Sequence, residues 1–429
     1  MKIAFFTDDY LPYVHGVTTS IQNYRQALEE LGHEVFIVAP KPRQKGWDDD
    51  DEHVIRLPSV NSYVFDKRPV SLLYPGIARK LYGRFDVVHS QTQFYLGIIA
   101  GMVARHDGIP HFTTVHTLYT ELLDDYPLAT TAGLIAASIG FPFIYKTKPI
   151  LPYDSASEIR SLSQLDAAEI KKRQGWRLMA ALVNQDDVCI APSAHLAATL
   201  KENGTDIPIY TLPNGISLQR YKDAKASDSP LKKGAKDKFI ICVARVSGEK
   251  RQRVLVEAMP LIKDPNIKLI LVGDGPERKR LEARAEELDM LGNRIIFTGL
   301  QPPHIVAAMM KQADVFTLPS YRFDNQPMVI LEAIASGLPV VYCDDNLTEG
   351  LTTDNALLTR GIEGEDFALA FNELLSDEAR LKKMSQASLK VAKNFDRDQL
   401  AKRLLSIYES TIEAYAELEV HAPATTEKH

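Results

Sequence analysis

The chain has 429 residues, 45% of them apolar and 25% charged, and a formal net charge of −6 at neutral pH. That length exceeds one ordinary hydrophobic core and calls for two domains of roughly 150–200 residues each. The acidic balance argues against a nucleic-acid surface, which needs a basic excess. The three cysteines, Cys189, Cys242 and Cys343, are far apart in apolar stretches, with neither a disulfide framework nor zinc spacing, and read as core residues of a reducing compartment.

The opening MKIAFFTDDY reaches Asp8 and Asp9 too soon for the apolar centre of a signal peptide, so a cytoplasmic protein is expected. In the first half, 3–6, 35–39, 87–89, 112–115 and 188–191 read as buried strands, with helical patterns such as 18–31 and 194–202 between them. Leu128–Tyr145 is uncharged for eighteen residues and ends near Lys146 and Lys148. It is too rich in small and polar residues, and too interrupted by Pro142, for a spanning helix. It fits either a buried helix pair or an apolar surface touching the membrane interface, where Lys171, Lys172 and Arg173 would meet anionic headgroups.

In the second half, 239–243, 268–272, 295–298, 315–318 and 339–342 read as strands, and 251–259, 277–287 and 303–311 as helices. Continuous apolar strands separated by helices predict an α/β fold of two doubly wound, Rossmann-like domains. KDAKASDSPLKKGAKD, residues 222–237, has Leu231 as its sole large apolar residue and reads as a linker. The expected division is 1–221 and 238–395, with the carboxyl ends of both sheets facing a ligand-binding cleft. A helix over 396–420 is expected to cross back to the first domain, followed by a frayed tail, 421–429.

Three segments at strand ends carry candidate chemistry. VARVSGEKR, 243–251, places Arg245 and Lys250 on a strand-to-helix turn containing Gly248, where two cations and helix amides could surround an anionic pocket; taken alone, the segment reads more readily as two solvated surface charges. VGDGPERKRLE, 272–282, places Gly273 and Gly275 after another strand, either for backbone approach to a ligand or as a plain tight turn. FTGL, with Phe297 and Thr298, ends the next strand and could meet a base through backbone groups.

The third segment is PSYRFDNQPMVILEAIASGLPVV, 319–341. Pro327 starts a helix, and Asp324 or Asn325 is placed to bond its first-turn amides. From Asn325 to Cys343 the one charged residue is Glu332, in a helix apolar all round. A buried carboxylate needs a partner. Ribose hydroxyls and an arginine elsewhere in the core are the two candidates.

In this order the segments resemble the retaining glycosyltransferases of family 4, which have the GT-B fold, over nearly the whole chain. FFTDDYLPYVHGVTTSIQNYRQALEELGHEV is similar to the family's opening strand, glycine loop and first helix. VARVSGEKR is similar to its diphosphate-binding arginine and lysine. Asp324 and Glu332, separated by seven residues, are similar to its two-acid signature. The resemblance implies that Arg245 and Lys250 bind the donor diphosphate and that Glu332 holds the ribose hydroxyls. Asp324 stands where the family usually has glutamate beside the transferred sugar, and the amides of Asn325 and Gln326 would contact its hydroxyls. Pro327 and Met328 replace the common Gly-Leu. Gly16 and Val17 would approach the diphosphate, and His116 would face the sugar, with His89 as a weaker candidate.

HTLYTE, 116–121, also resembles members that act on diacylglycerol or phosphatidylinositol. The resemblance thus implies a metal-independent hexosyltransferase using a UDP- or GDP-sugar and no further cofactor. Its acceptor would be a hydroxyl, that of a membrane lipid being the narrower expectation, and the enzyme would then sit peripherally on the inner membrane face. No metal-binding acid pair stands at a suitable strand end, Asp8–Asp9 and Asp344–Asp345 being the nearest imitations. A nucleotide-sugar epimerase of the same fold and a non-catalytic nucleotide-sugar-binding protein are the alternatives. A dehydrogenase lacks its full glycine fingerprint.

Overall fold

The computed structural model describes residues 1–43, 47, 49–61, 69–74, 76–116 and 166–421. The expectations placed on 117–165, including 128–145 and all of HTLYTE except His116, therefore lie outside the described residues. The chain divides into two compact units, Met1–Pro213 with Leu400–His429, and Asn214–Gln399.

The strands of the first unit are β1 (Lys2–Phe6), β2 (Glu34–Pro40), β3 (Val54–Leu57), β4 (Ser59–Asn61), β5 (Pro69–Ser71), β6 (Val87–Ser90), β7 (His111–Thr114), β8 (Val188–Ala191) and β9 (Ile209–Thr211). Seven of them form one parallel sheet, ordered β3-β2-β1-β6-β7-β8-β9, beside a two-stranded antiparallel hairpin of β4 and β5. The central strands are apolar on both faces because helices cover both: Ile3, Ala4, Phe5 and Phe6 are fully buried. α1 (Gly16–Glu30) and α2 (Tyr95–Asp107) follow β1 and β6, the two strands between which the sheet order reverses. Such a reversal leaves a crevice at the carboxyl ends of the strands. α3 (Ala167–Val183) and α4 (Ala194–Glu202) complete this part of the chain.

The second unit contains β10 (Lys238–Val243), β11 (Ile267–Val272), β12 (Ile295–Gly299), β13 (Val315–Leu318), β14 (Val340–Tyr342) and β15 (Ala356–Leu358), all parallel in the order β12-β11-β10-β13-β14-β15. Here the order reverses between β10 and β13. The helices are α5 (Leu218–Asp223), α6 (Gln252–Ala258), α7 (Arg278–Glu287), α8 (Pro303–Gln312), α9 (Met328–Ala335), α10 (Gly364–Leu375) and α11 (Glu378–Ala392).

Two boundaries differ from the expected ones. Residues 222–237 belong to the second unit: Leu231 packs against its core and Lys233 Nζ lies 2.6 Å from Asp314 Oδ2. A polar stretch can lie on a domain surface as well as between domains, and composition does not separate the two. The unit boundary instead falls at Pro213–Asn214, which brings α5, with Tyr221, into the second unit. The last helix, α12 (Arg397–His421), belongs to the first unit from Leu400 onward. Leu400, Ala401, Leu404, Leu405 and Tyr408 lie in the first-unit core beside Ile3, Phe5 and Phe112. No helix among the described residues is long and apolar enough to cross a membrane.

Candidate active site

In the second unit the candidate residues gather at the β10–β13 reversal. After β10 the chain makes a single 3-10 turn, Gly248–Lys250, that leads into α6. The backbone of this loop is tied down at several points. Gln252 Nε2 donates to Arg245 O at 2.6 Å, Val246 N to Asp274 O at 3.0 Å, and the Ser247 hydroxyl to Glu249. The Arg245 side chain is exposed and makes no ion pair among the described residues. Such a guanidinium has no ion pair to break before it meets an incoming anion, and its planar fork suits a phosphate.

Gly273 and Gly275 have a packing reason for being glycine. A Cβ on Gly273, whose φ is +134°, would stand 2.0 Å from Ala244 O, and one on Gly275 2.2 Å from Val246 O. The two glycines thus let the β11 loop lie directly on the loop that carries Arg245. Phe297 and Thr298 are half-buried at the end of β12, where the Thr298 carbonyl accepts from Gln301 Nε2 at 2.8 Å.

Lys250 Nζ lies 2.5 Å from Asp324 Oδ1 and 5.1 Å from the centre of the Phe323 ring. The other Asp324 oxygen accepts from the Ser320 hydroxyl at 2.5 Å. Asp324 therefore does not cap α9 as expected: the helix begins after Pro327 with no side-chain bond to its first turn. The buried Gln326 places Oε1 on Asn214 N (2.7 Å) and Asn214 Nδ2 (2.8 Å). Asn325 and Met328 are buried as well. α9 ends in a Schellman arrangement: Gly337, at φ +84°, donates to Ile334 O and Leu338 to Ala333 O, both at 3.0 Å.

Glu332 projects from the second turn of α9, which otherwise buries Met328, Ile330, Leu331, Ala333, Ile334 and Ala335. Burial pushes its carboxyl up to about 7, opposed by a hydrogen bond from Tyr221 and by the charge of Arg220. An internal partner therefore exists, a tyrosine and not the arginine fork that was one of the two candidates. The sequence hid it because Tyr221 precedes the stretch that looked like a linker. Glu332 keeps partial exposure, and a tyrosine uses one of the four acceptor sites of a carboxylate. Among the described residues no direct bond links Glu332 to Arg245 or Lys250.

In the first unit, Gly16 and Val17 open α1, and His15, just before them, places Nε2 2.6 Å from Asp9 Oδ2. His116 follows β7, with Nε2 2.8 Å from Gln91 Oε1. Burial, reinforced by the nearby His15, depresses the His116 pKa to about 3, so the ring is neutral at ordinary pH. His89 is different. Its ring is buried, with Nδ1 on the Tyr408 hydroxyl at 2.5 Å and Nε2 on the Thr114 hydroxyl at 2.7 Å. Both nitrogens are satisfied inside the core, and the ring is a packing element.

The acid pairs are also accounted for. Asp8 accepts from Leu96 N at 3.1 Å at the start of α2 and from the Thr92 hydroxyl at 2.8 Å, and burial pushes it up to about 6. Asp344, fully buried, accepts from Arg322 N at 2.6 Å, while Asp345 pairs with Arg322 Nη2 at 2.8 Å. Among the described residues no group of three or more His, Cys, Asp or Glu is placed to hold a metal ion.

Two parallel α/β units with this set of loops define a glycosyltransferase of the GT-B fold that uses a nucleotide-sugar donor. The chain belongs to family 4 of these enzymes: residues 14–220 match Glycosyltransferase Family 4, and residues 223–391 match the glycosyl transferases group 1. It is 28% identical to the alpha-monoglucosyldiacylglycerol synthase of Streptococcus pneumoniae, over 82% of this chain and 74% of the relative. It is 25% identical to the GDP-mannose-dependent alpha-mannosyltransferase of Corynebacterium glutamicum, over 96% of this chain and 89% of the relative. Among solved structures it resembles Anabaena HepE in complex with UDP, with a TM-score of 0.69 at 17% identity, over 96% of this chain and 100% of that one. The fold also matches a sucrose-phosphate synthase from Thermosynechococcus elongatus, with a TM-score of 0.66 at 18% identity, over 96% of this chain and 99% of that one. The epimerase and the non-catalytic readings are set aside.

Proposed function

We propose that this glycosyltransferase moves a hexose from UDP or GDP to a hydroxyl of a membrane lipid, with retention at the anomeric carbon. The observation that carries the donor side is the exposed Arg245 guanidinium, which makes no ion pair among the described residues, on a loop whose neighbour Lys250 is already held against Asp324. Together these two cations would take the pyrophosphate and neutralise the charge that grows on it as the bond breaks. Glu332 would accept from the ribose hydroxyls with its remaining acceptor sites. Asp324, the amides of Asn325 and Gln326, Pro327 and Met328 would line the sugar. Gly273, Phe297 and Thr298 would meet the nucleoside. From the first unit, Gly16 and Val17 would approach the phosphates, and neutral His116 would bond a sugar hydroxyl.

In the transfer, the bond from the anomeric carbon to the phosphate oxygen breaks and a bond to the acceptor oxygen forms on the same face. The departing phosphate oxygen takes the acceptor's proton, and the nucleoside diphosphate leaves. The lipid acceptor is supported by the names of the relatives, a glucosyldiacylglycerol synthase among them. With such an acceptor, the place of action would be the cytoplasmic face of a membrane.

The test is a turnover screen of UDP-glucose, UDP-galactose, UDP-N-acetylglucosamine and GDP-mannose, with and without diacylglycerol or phosphatidylinositol vesicles. Product that retains the donor's anomeric configuration and needs vesicles supports the reading. Donor turnover that ignores every lipid overturns the acceptor half.

A further inference from the structure

Arg251, next to the donor lysine, has a left-handed backbone, with φ 52° and ψ 26°. That conformation suits glycine or asparagine and strains an arginine. Strain of this kind persists where the surroundings over-determine it, and it concentrates at functional sites.

The surroundings here are three chain segments joined by one side chain. Arg251 Nη2 donates to Ile362 O at 2.9 Å and pairs with Glu363 Oε1 at 3.1 Å, while Nη1 reaches Pro319 O at 3.4 Å. Pro319 O also receives the Cys343 thiol, with Sγ at 3.5 Å. Ser320, the next residue, bonds Asp324. The Arg251 fork therefore ties the loop after β10 to the end of β13, one residue before the serine that orients Asp324. Lys250, one residue before Arg251, meets Asp324 from the other side. The planar guanidinium, with its fixed donor directions, holds two carbonyls at a set angle, whereas lysine's ammonium rotates on a flexible stem and fixes them less well.

We propose that Arg251 is a positioning residue: its fork locks the Lys250 loop onto the Pro319–Asp324 segment, so that lysine and aspartate stand in register for the donor. The inference rests on the donor-site reading above. Glycine accepts the left-handed backbone without strain, so Arg251→Gly removes the bridge and the strain together. Arg251→Ala removes the bridge and keeps the strain.

The experiment measures melting temperature, the dissociation constants of UDP and GDP, and transfer from whichever donor the native enzyme turns over. The two variants should differ in melting temperature, with Arg251→Gly the more stable. Both should bind the cognate nucleotide about tenfold more weakly and lose kcat by a similar factor, and Arg251→Lys should recover part of either loss. A purely structural arginine would instead show binding that tracks stability, with Arg251→Gly near native. Native-like binding and kcat in Arg251→Gly, beside an inactive Lys250→Ala, overturn the positioning role alone. Native-like rates in Lys250→Ala as well overturn the donor-site reading with it.

Discussion

Lys250 and Asp324 contact each other at 2.5 Å although they lie 74 positions apart, one on the loop after β10 and the other on the loop after β13. Parallel pairing of those two strands, with Ile240 opposite Val315 and Ile241 opposite Phe316, brings the two loops side by side. An ion pair with both side chains mostly buried is costly to desolvate and weak as a stabilising device. On the proposed donor-site reading, the pair holds a cation ready beside the donor.

Arg245→Ala should abolish transfer, by about 100-fold or more, with an unchanged melting temperature, because the exposed guanidinium makes no ion pair among the described residues. Lys250→Ala should lose as much activity and also some stability, because among the described residues Asp324 is then left with the Ser320 hydroxyl as its side-chain partner. Rates within a few-fold of native in either variant would remove that residue from the site.

Glu332→Gln should raise stability while weakening the donor complex. The Glu332 carboxyl ionises near 4.5 when unfolded and near 7 when folded. Between those values the folded chain keeps a proton that the unfolded chain releases, so this group makes stability fall as pH rises from about 4.5 to 7. Above 7 the full cost stands, about 3 kcal/mol. The variant should therefore melt higher than native at pH 8 and no higher at pH 4, and should bind UDP or GDP more weakly. Unchanged nucleotide affinity would make Glu332 a structural carboxylate held by Tyr221.

His116→Asn should lower kcat by a constant factor between pH 5 and 8, because a ring that protonates only near pH 3 changes no charge in that range. The stability linked to this ring has the opposite sign to that of Glu332. The folded form resists protonation, so stability is lost as pH falls below the ordinary histidine value near 6.5. A kcat inflection near pH 6.5 that vanishes in the variant would show the histidine titrating during turnover.

Gly275→Ala should displace the Arg245 loop, since its Cβ would stand 2.2 Å from Val246 O and 2.9 Å from Val246 N. Backbone atoms cannot swing aside as a side chain can, so destabilisation of about 2 kcal/mol or more is expected. Calorimetry reads the loss, and a nucleotide titration should show weaker binding. A native melting curve would mean that the two loops separate easily.

Much of the fold was legible because each inner strand is a short apolar run and each covering helix keeps its own period. Val188–Ala191 and Val315–Leu318 lie where the hydrophobic runs placed them. The short edge strands β3, β9 and β15 were not legible, since an edge strand is half-exposed and its residues do not form a continuous apolar run. The histidines at strand ends looked alike in sequence. Tyr408, 319 positions beyond His89, makes that ring a core element, while His116 stays at the surface end of its strand.

The sequence by itself determined the strand and helix order, the two-unit class and the residue types able to hold a nucleotide diphosphate, because hydrophobic period and charge are local properties. It also singled out Glu332, since one acid in an apolar helix is visible without coordinates. Only the tertiary structure decided the partners: Tyr221 for Glu332, Asp324 for Lys250, and the three-segment bridge of Arg251. A partner is chosen by distance in space, and parallel crossovers bring together residues that the chain keeps far apart.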